Sequence, residues 1–143
     1  GPERRGAPVF AFLRVDETER IKVRAEIKEP DVLLVLDPGL LGVGDVVSRL
    51  KKDGMTIVNT IKSHDEMKSK IEANKIATVD AMGIARAVLG LPIVNTTMIG
   101  ALVKATGIVK LESMEAPMEE RFGKVAAKNI AAMRKAYEET VVS

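Results

Sequence analysis

Apolar positions fall into two rhythms that take turns along the chain. Residues 32–36 (VLLVL), 55–59 (MTIVN) and 76–80 (IATVD) are short, nearly continuous apolar runs. Runs of that length between turn residues predict strands covered on both faces, as in a parallel sheet. Pro30 breaks the chain before the first run, and Asp37-Pro38-Gly39 turns it afterwards. Between the runs the period lengthens to that of a helix. Over 44–52, Val46, Val47 and Leu50 point inward while Arg49, Lys51 and Lys52 point outward. A second helix is predicted over 64–73, where Ser63 can cap and Glu66 completes a capping box. A third follows the last run, over 82–89.

The two ends read differently. Residues 9–15 and 20–25 alternate or run apolar around Asp16-Glu17-Thr18-Glu19, which predicts a β-hairpin. In the second half, Pro92 forces an extended approach, and Asn95, Thr96 and Thr97 offer three side chains able to cap a helix over 98–106. That helix is apolar nearly all round, with only Lys104 and Thr106 plainly polar, so burial on most of its circumference is expected. Gly100 inside it implies that another backbone passes close by, and Gly107 is placed to end it. A short helix within 111–122 and a long one over 124–140 complete the chain. The long one has Val125, Ile130, Met133 and Tyr137 on an apolar stripe, with Lys128, Arg134, Lys135 and Glu138 facing water. Strands alternating with helices give the fold class. It is α/β, a three-layer Rossmann-like domain with a largely parallel central sheet, an N-terminal β-hairpin and a helical C-terminus. Residues 1–143 form one domain, with no repeat and no linker.

Composition narrows the chemistry. Apolar residues make up 46% and charged residues 29%, and the net charge of +2 is spread without a basic stripe. A nucleic-acid footprint is therefore unsupported, and no apolar run is long enough to span a membrane. There is no cysteine, so the chain cannot hold an iron–sulfur cluster or a structural zinc through thiolates. His64 is the single histidine and reads as an exposed helix-start residue rather than a metal ligand. No P-loop, nucleophile-elbow or zinc-protease motif occurs. The seven methionines read as core filler, and nothing presents a convincing nucleophile or general base.

Two places could still bind a ligand. Open parallel sheets bind beyond the carboxyl ends of their strands. Those ends carry Asp37, Asn59-Thr60 and Asp80, with Asn95, Thr96 and Thr97 expected nearby at a helix N-terminus that favours anions. The same residues are also ordinary turn and cap formers, and sequence alone leaves both readings open. The other place is Arg4-Arg5-Gly6. Paired guanidiniums offer bidentate forks to phosphate, and the glycine allows close approach; a solvated charge pair is the alternative.

One stretch carries more than its periodicity. NTTMIGALVKATGIVKLESM followed by ERFGKVAAKNIAAMRKAYE resembles the gamma subunit of the 2-oxoacid:ferredoxin oxidoreductases, of which pyruvate:ferredoxin oxidoreductase is the usual example. PERRGAPV, EPDVLLVLDP, DGMTIVNT and ATVDAMGIA extend the resemblance through the chain in the family's order. The resemblance implies a family-typical opening strand, Gly-rich loop and helix that this sequence lacks. It implies a cytoplasmic, multisubunit enzyme with alpha, beta and delta partners, and a possible homodimer of the isolated chain. The complete enzyme would decarboxylate a 2-oxoacid on thiamine diphosphate with Mg2+. It would pass electrons through 4Fe–4S clusters to ferredoxin and transfer the acyl group to coenzyme A. Pyruvate is the first expectation, with 2-oxoisovalerate, 2-oxoglutarate and indolepyruvate as rivals. This chain would bind none of those redox cofactors and would be a non-catalytic subunit. Arg4, Arg5 and Gly6, with Asn95 and Thr96, are its expected coenzyme A contacts. A stand-alone nucleotide-binding α/β module and a structural dimerisation domain are the competing readings.

Overall fold

The computed structural model describes residues 7–71 and 75–143. Its centre is a four-stranded sheet of β1 (Val32–Val35), β2 (Met55–Asn59), β3 (Lys75–Val79) and β4 (Val141–Val142), in that spatial order. The first three strands run parallel, with Val32 opposite Met55 and Met55 opposite Lys75, and β4 pairs antiparallel to β3. The helices are α1 (His64–Lys70), α2 (Ala81–Val88), α3 (Asn95–Thr106), α4 (Glu115–Phe122) and α5 (Ala126–Glu139).

Strand alternation sorts the core into two faces. Ile57, Ala77 and Val79 pack with Ala81 and Ile84 of α2, Met98 and Ala101 of α3, and Ala132 and Ala136 of α5. On the opposite face Val35, Val58 and Ile76 meet Met67, Ile71, Leu41 and Val47. Both faces are covered, which is why the three runs are apolar throughout. Fully burying a side chain such as Ile57 or Met98 contributes about 1.5–3 kcal/mol. A third cluster joins Val103, Leu111, Met118 and Met133, and the Arg134–Glu115 ion pair ties α5 to α4.

The capping box at Ser63 forms as expected: its side chain accepts from the Glu66 N–H, and the Glu66 carboxylate accepts from the Ser63 N–H at 3.1 Å. Gly107 closes α3 with φ +63°.

Several expectations need correction. No strand forms over 9–15 or 20–25, so the N-terminal β-hairpin is absent among the described residues. Its turn survives, because Asp16 Oδ1 accepts the N–H groups of Thr18 and Glu19. Val9, Phe10, Phe12, Leu13, Val15, Ile21 and Val23 remain exposed, and a two-stranded ribbon without a packed face is marginal at best. The segment 44–52 is a run of turns rather than a helix, although Val46, Val47 and Leu50 do face inward. Helix α3 starts earlier than its capping residues suggest: Val94 is its N-cap, without a side-chain hydrogen bond, and Asn95, Thr96 and Thr97 lie inside the first turn. Val125 is exposed, since a 3-10 turn at Gly123–Val125 precedes α5 and swings it off the apolar stripe. His64 is half-buried, its Nδ1 lying 3.2 Å from Thr78 Oγ1 across the layer to β3. Finally β4, two residues long, was beyond any periodicity to detect.

Candidate functional site

The carboxyl ends of the parallel strands open into a cleft of about 790 Å³. One wall is the loop after β1, from Pro38 to Ser48, and the other is α1 through Met67, Lys70 and Ile71. Asn59, Thr60, Asp80 and Met82 close the floor. That size suits a small molecule, and the position follows from strand direction.

Most polar groups of this floor are committed to the fold. The Asn59 amide donates to the Leu36 carbonyl at 2.9 Å and its oxygen accepts from the Met82 N–H at 3.2 Å. One side chain thus fastens the end of β2 to both the β1 exit and the start of α2. The Asp80 carboxylate caps α2 by accepting from the Gly83 N–H at 2.8 Å, and Asp37 does the same for Gly39 at 2.9 Å. Thr60 Oγ1 accepts from the Lys62 N–H. Asp45 lies well paired: the Arg49 guanidinium at 3.1 Å holds its carboxyl below the usual carboxylate range. The cap reading therefore holds for Asp37 and Asp80, while Asn59 is a bracket between elements.

Asn95 and Thr96 are not in this cleft. Asn95 is exposed and its oxygen accepts from the Thr96 N–H at 2.9 Å. Thr96 is buried, and its hydroxyl donates to Asn129 Oδ1 on α5 at 2.8 Å, while Asn129 Nδ2 donates to the Val125 carbonyl. Arg4, Arg5 and Gly6 lie outside the described residues. Among the described residues no group of three or more His, Asp or Glu side chains is arranged to hold a metal ion, and no helix is long and apolar enough to cross a membrane. Sequence reasoning missed Lys62 and Lys70 at the cleft. Lys62 precedes Ser63, the N-cap of α1, so no helical spacing signals it.

The described residues thus define a three-layer α/β domain with a ligand-sized cleft at its strand ends. The comparisons give it a family. Residues 1–139 match the model of the pyruvate ferredoxin/flavodoxin oxidoreductase family, and the chain belongs to that family. Within it the likeness is to separate gamma-type subunits. The chain is 51% identical to the pyruvate/ketoisovalerate oxidoreductases common subunit gamma of Thermococcus litoralis, over 99% of this chain and 78% of that protein. It is 46% identical to the pyruvate synthase subunit PorC of Methanocaldococcus jannaschii, over 97% of this chain and 75% of that one. The crystal structure of the pyruvate oxidoreductase subunit PORC of Thermotoga maritima superposes with a TM-score of 0.75 at 41% identity, covering 82% of this chain and 67% of that chain.

Proposed function

We propose that this chain is the gamma subunit of a multisubunit 2-oxoacid:ferredoxin oxidoreductase, acting as a non-catalytic subunit in coenzyme A-dependent oxidative decarboxylation and its reverse. The observation that carries the reading is the near end-to-end similarity to subunits named gamma and PorC. The donor set supports the division of labour: without a cysteine this chain cannot ligate an iron–sulfur cluster through thiolates, so clusters belong to partner subunits. Thiamine diphosphate and Mg2+ belong there too on this reading, and supply the decarboxylation chemistry when bound. The partners are the alpha, beta and delta subunits, with ferredoxin as electron acceptor of the assembly, and the setting is cytoplasmic.

Pyruvate is the proposed substrate. The Thermococcus relative is named as common to pyruvate and ketoisovalerate oxidoreductases, so a branched 2-oxoacid is the second candidate for the same chain. Arg4, Arg5 and Gly6 are proposed to face coenzyme A, two guanidiniums matching its phosphates as forked donors. Asn95 is the exposed member of the α3 pair and the proposed ligand contact; Thr96 would act by holding α3 against α5.

The test is affinity purification of the tagged chain from its source cells. Thiamine- and cluster-bearing subunits should co-purify in fixed ratio. Recovery of the chain alone under native conditions, while those subunits assemble without it, would overturn the proposal.

A further inference from the structure

Before the sheet begins, the chain runs through a long exposed stretch. Residues 7–26 are all exposed and form neither helix nor strand. Large apolar side chains stand in the open along it, among them Phe10 at 56%, Phe12 at 49% and Leu13 at 72% exposure. The stretch is nonetheless a shaped arm with two limbs. Asp16 Oδ1 turns it by accepting the N–H groups of Thr18 and Glu19. The Arg14 guanidinium on the first limb donates to the Ala25 carbonyl on the second at 2.9 Å. A gap of about 300 Å³ runs between the limbs, with Phe12, Ile21 and Val23 on its walls. Glu26, at the root of the arm, lies 3.3 Å from Arg49.

Contiguous apolar surface of this kind marks a contact with another molecule. Charge says which kind of molecule. Along the limbs, 9–15 and 20–25, every charged side chain is a cation: Arg14, Arg20, Lys22 and Arg24. The carboxylates Asp16, Glu17 and Glu19 are confined to the turn. Two copies of the arm laid limb on limb would bring like charges together across the contact, which is unfavourable. An anionic lipid surface suits the limbs but would have to accept the carboxylates of the turn, which form the tip. The surface that fits is that of a different protein, apolar in its floor and acidic at its rim. We propose that residues 9–25 are a docking arm for such a partner and, resting on the oxidoreductase reading, that the partner is another subunit of the same assembly. Phe10, Phe12 and Leu13 fill the apolar floor, and Arg20, Lys22 and Arg24 pair with the acidic rim.

The experiment is interferometry of the purified chain against the assembled alpha, beta and delta subunits at neutral pH and physiological salt. The parent is compared with Phe12→Asp, with Leu13→Asp, and with Lys22→Glu and Arg24→Glu combined. Each single change should weaken binding about tenfold or more, as loss of a buried apolar anchor does. The double charge reversal should weaken it by a similar factor, and parent binding should fall as salt is raised. All four positions are exposed, so the variants should keep the parent circular dichroism and unfolding midpoint. If the parent binds and all three variants bind equally tightly, the docking arm is overturned and the oxidoreductase reading stands. A parent chain that does not bind the subunits overturns both. Two further results would overturn the proposal by giving the arm another role. One is a dimer in sedimentation that Phe12→Asp breaks while subunit binding is unchanged. The other is binding to phosphatidylserine vesicles that the same variants lose while subunit binding is unchanged.

Discussion

Gly100 on α3 sits directly against the backbone of Met133 on α5. A β-carbon at position 100 would run into the Met133 carbonyl oxygen, with the Met133 carbonyl carbon and the Tyr137 nitrogen each 2.9 Å away. Gly100 thus sets the distance between α3 and α5, two of the three helices that cover one face of the sheet, and Met133 is fully buried.

Gly100→Ala is expected to destabilise the chain, because backbone atoms cannot step aside as a flexible side chain can. Overpacking costs about 1–3 kcal/mol or more. The helix-propensity gain of about 1 kcal/mol offsets only part of that. Urea unfolding of the two proteins measures the balance, and a more stable variant would show that α3 and α5 are not in backbone contact.

Thr97, one turn earlier on α3, is fully buried, and its hydroxyl has no hydrogen-bond partner among the described residues. Thr97→Val keeps the shape and removes the unpaired polar group. A gain of roughly 1 kcal/mol is expected in the same unfolding assay. A loss of similar size would reveal a partner for that hydroxyl in the assembled enzyme or in solution.

Thr96 behaves oppositely. Thr96→Val strands Asn129 Oδ1 in a buried setting and should cost about 1–3 kcal/mol, whereas Thr96→Ser, which keeps the donor, should cost less. A ligand role for Thr96 would show instead as weakened coenzyme A binding with little change in unfolding.

The three parallel strands were legible because burial on both faces leaves an unbroken apolar run, and the box at Ser63 because Glu66 stands at the one spacing that closes it. The close approach at Gly100 was legible for a similar reason: a glycine in a good helix needs a cause. The hairpin over 9–25 was misread because alternation reports strand-forming capacity, whereas a ladder also requires a face to pack on. Thr96 looked like a cap for want of any sequence signal that Asn129, thirty-three positions later, would meet it. The place of Lys62 on the cleft was invisible for the same reason: it lies on a loop, and its direction depends on where β2 ends.

Glu66 gives the fold a pH dependence that can be assigned. The Ser63 N–H, and after it the Ser63 hydroxyl, hold its carboxyl below the ordinary value of 4.5. A carboxylate depressed in the folded state stabilises fully above its unfolded pKa, and that stability is lost as pH falls through the lower folded value. Glu66→Gln should therefore be less stable than the parent at pH near 7, and the gap should close in thermal melts taken progressively below about pH 4.5. A gap independent of pH would mean the charge of Glu66 contributes nothing to the cap.

The most direct measurement of the central claim is pyruvate-dependent ferredoxin reduction by an enzyme reassembled from purified alpha, beta and delta subunits, with and without this chain. The account predicts that coenzyme A-dependent turnover requires the chain and rises in proportion to it up to one equivalent per complex, while the chain by itself reduces no ferredoxin. Full coenzyme A-dependent activity from the other three subunits alone would contradict it.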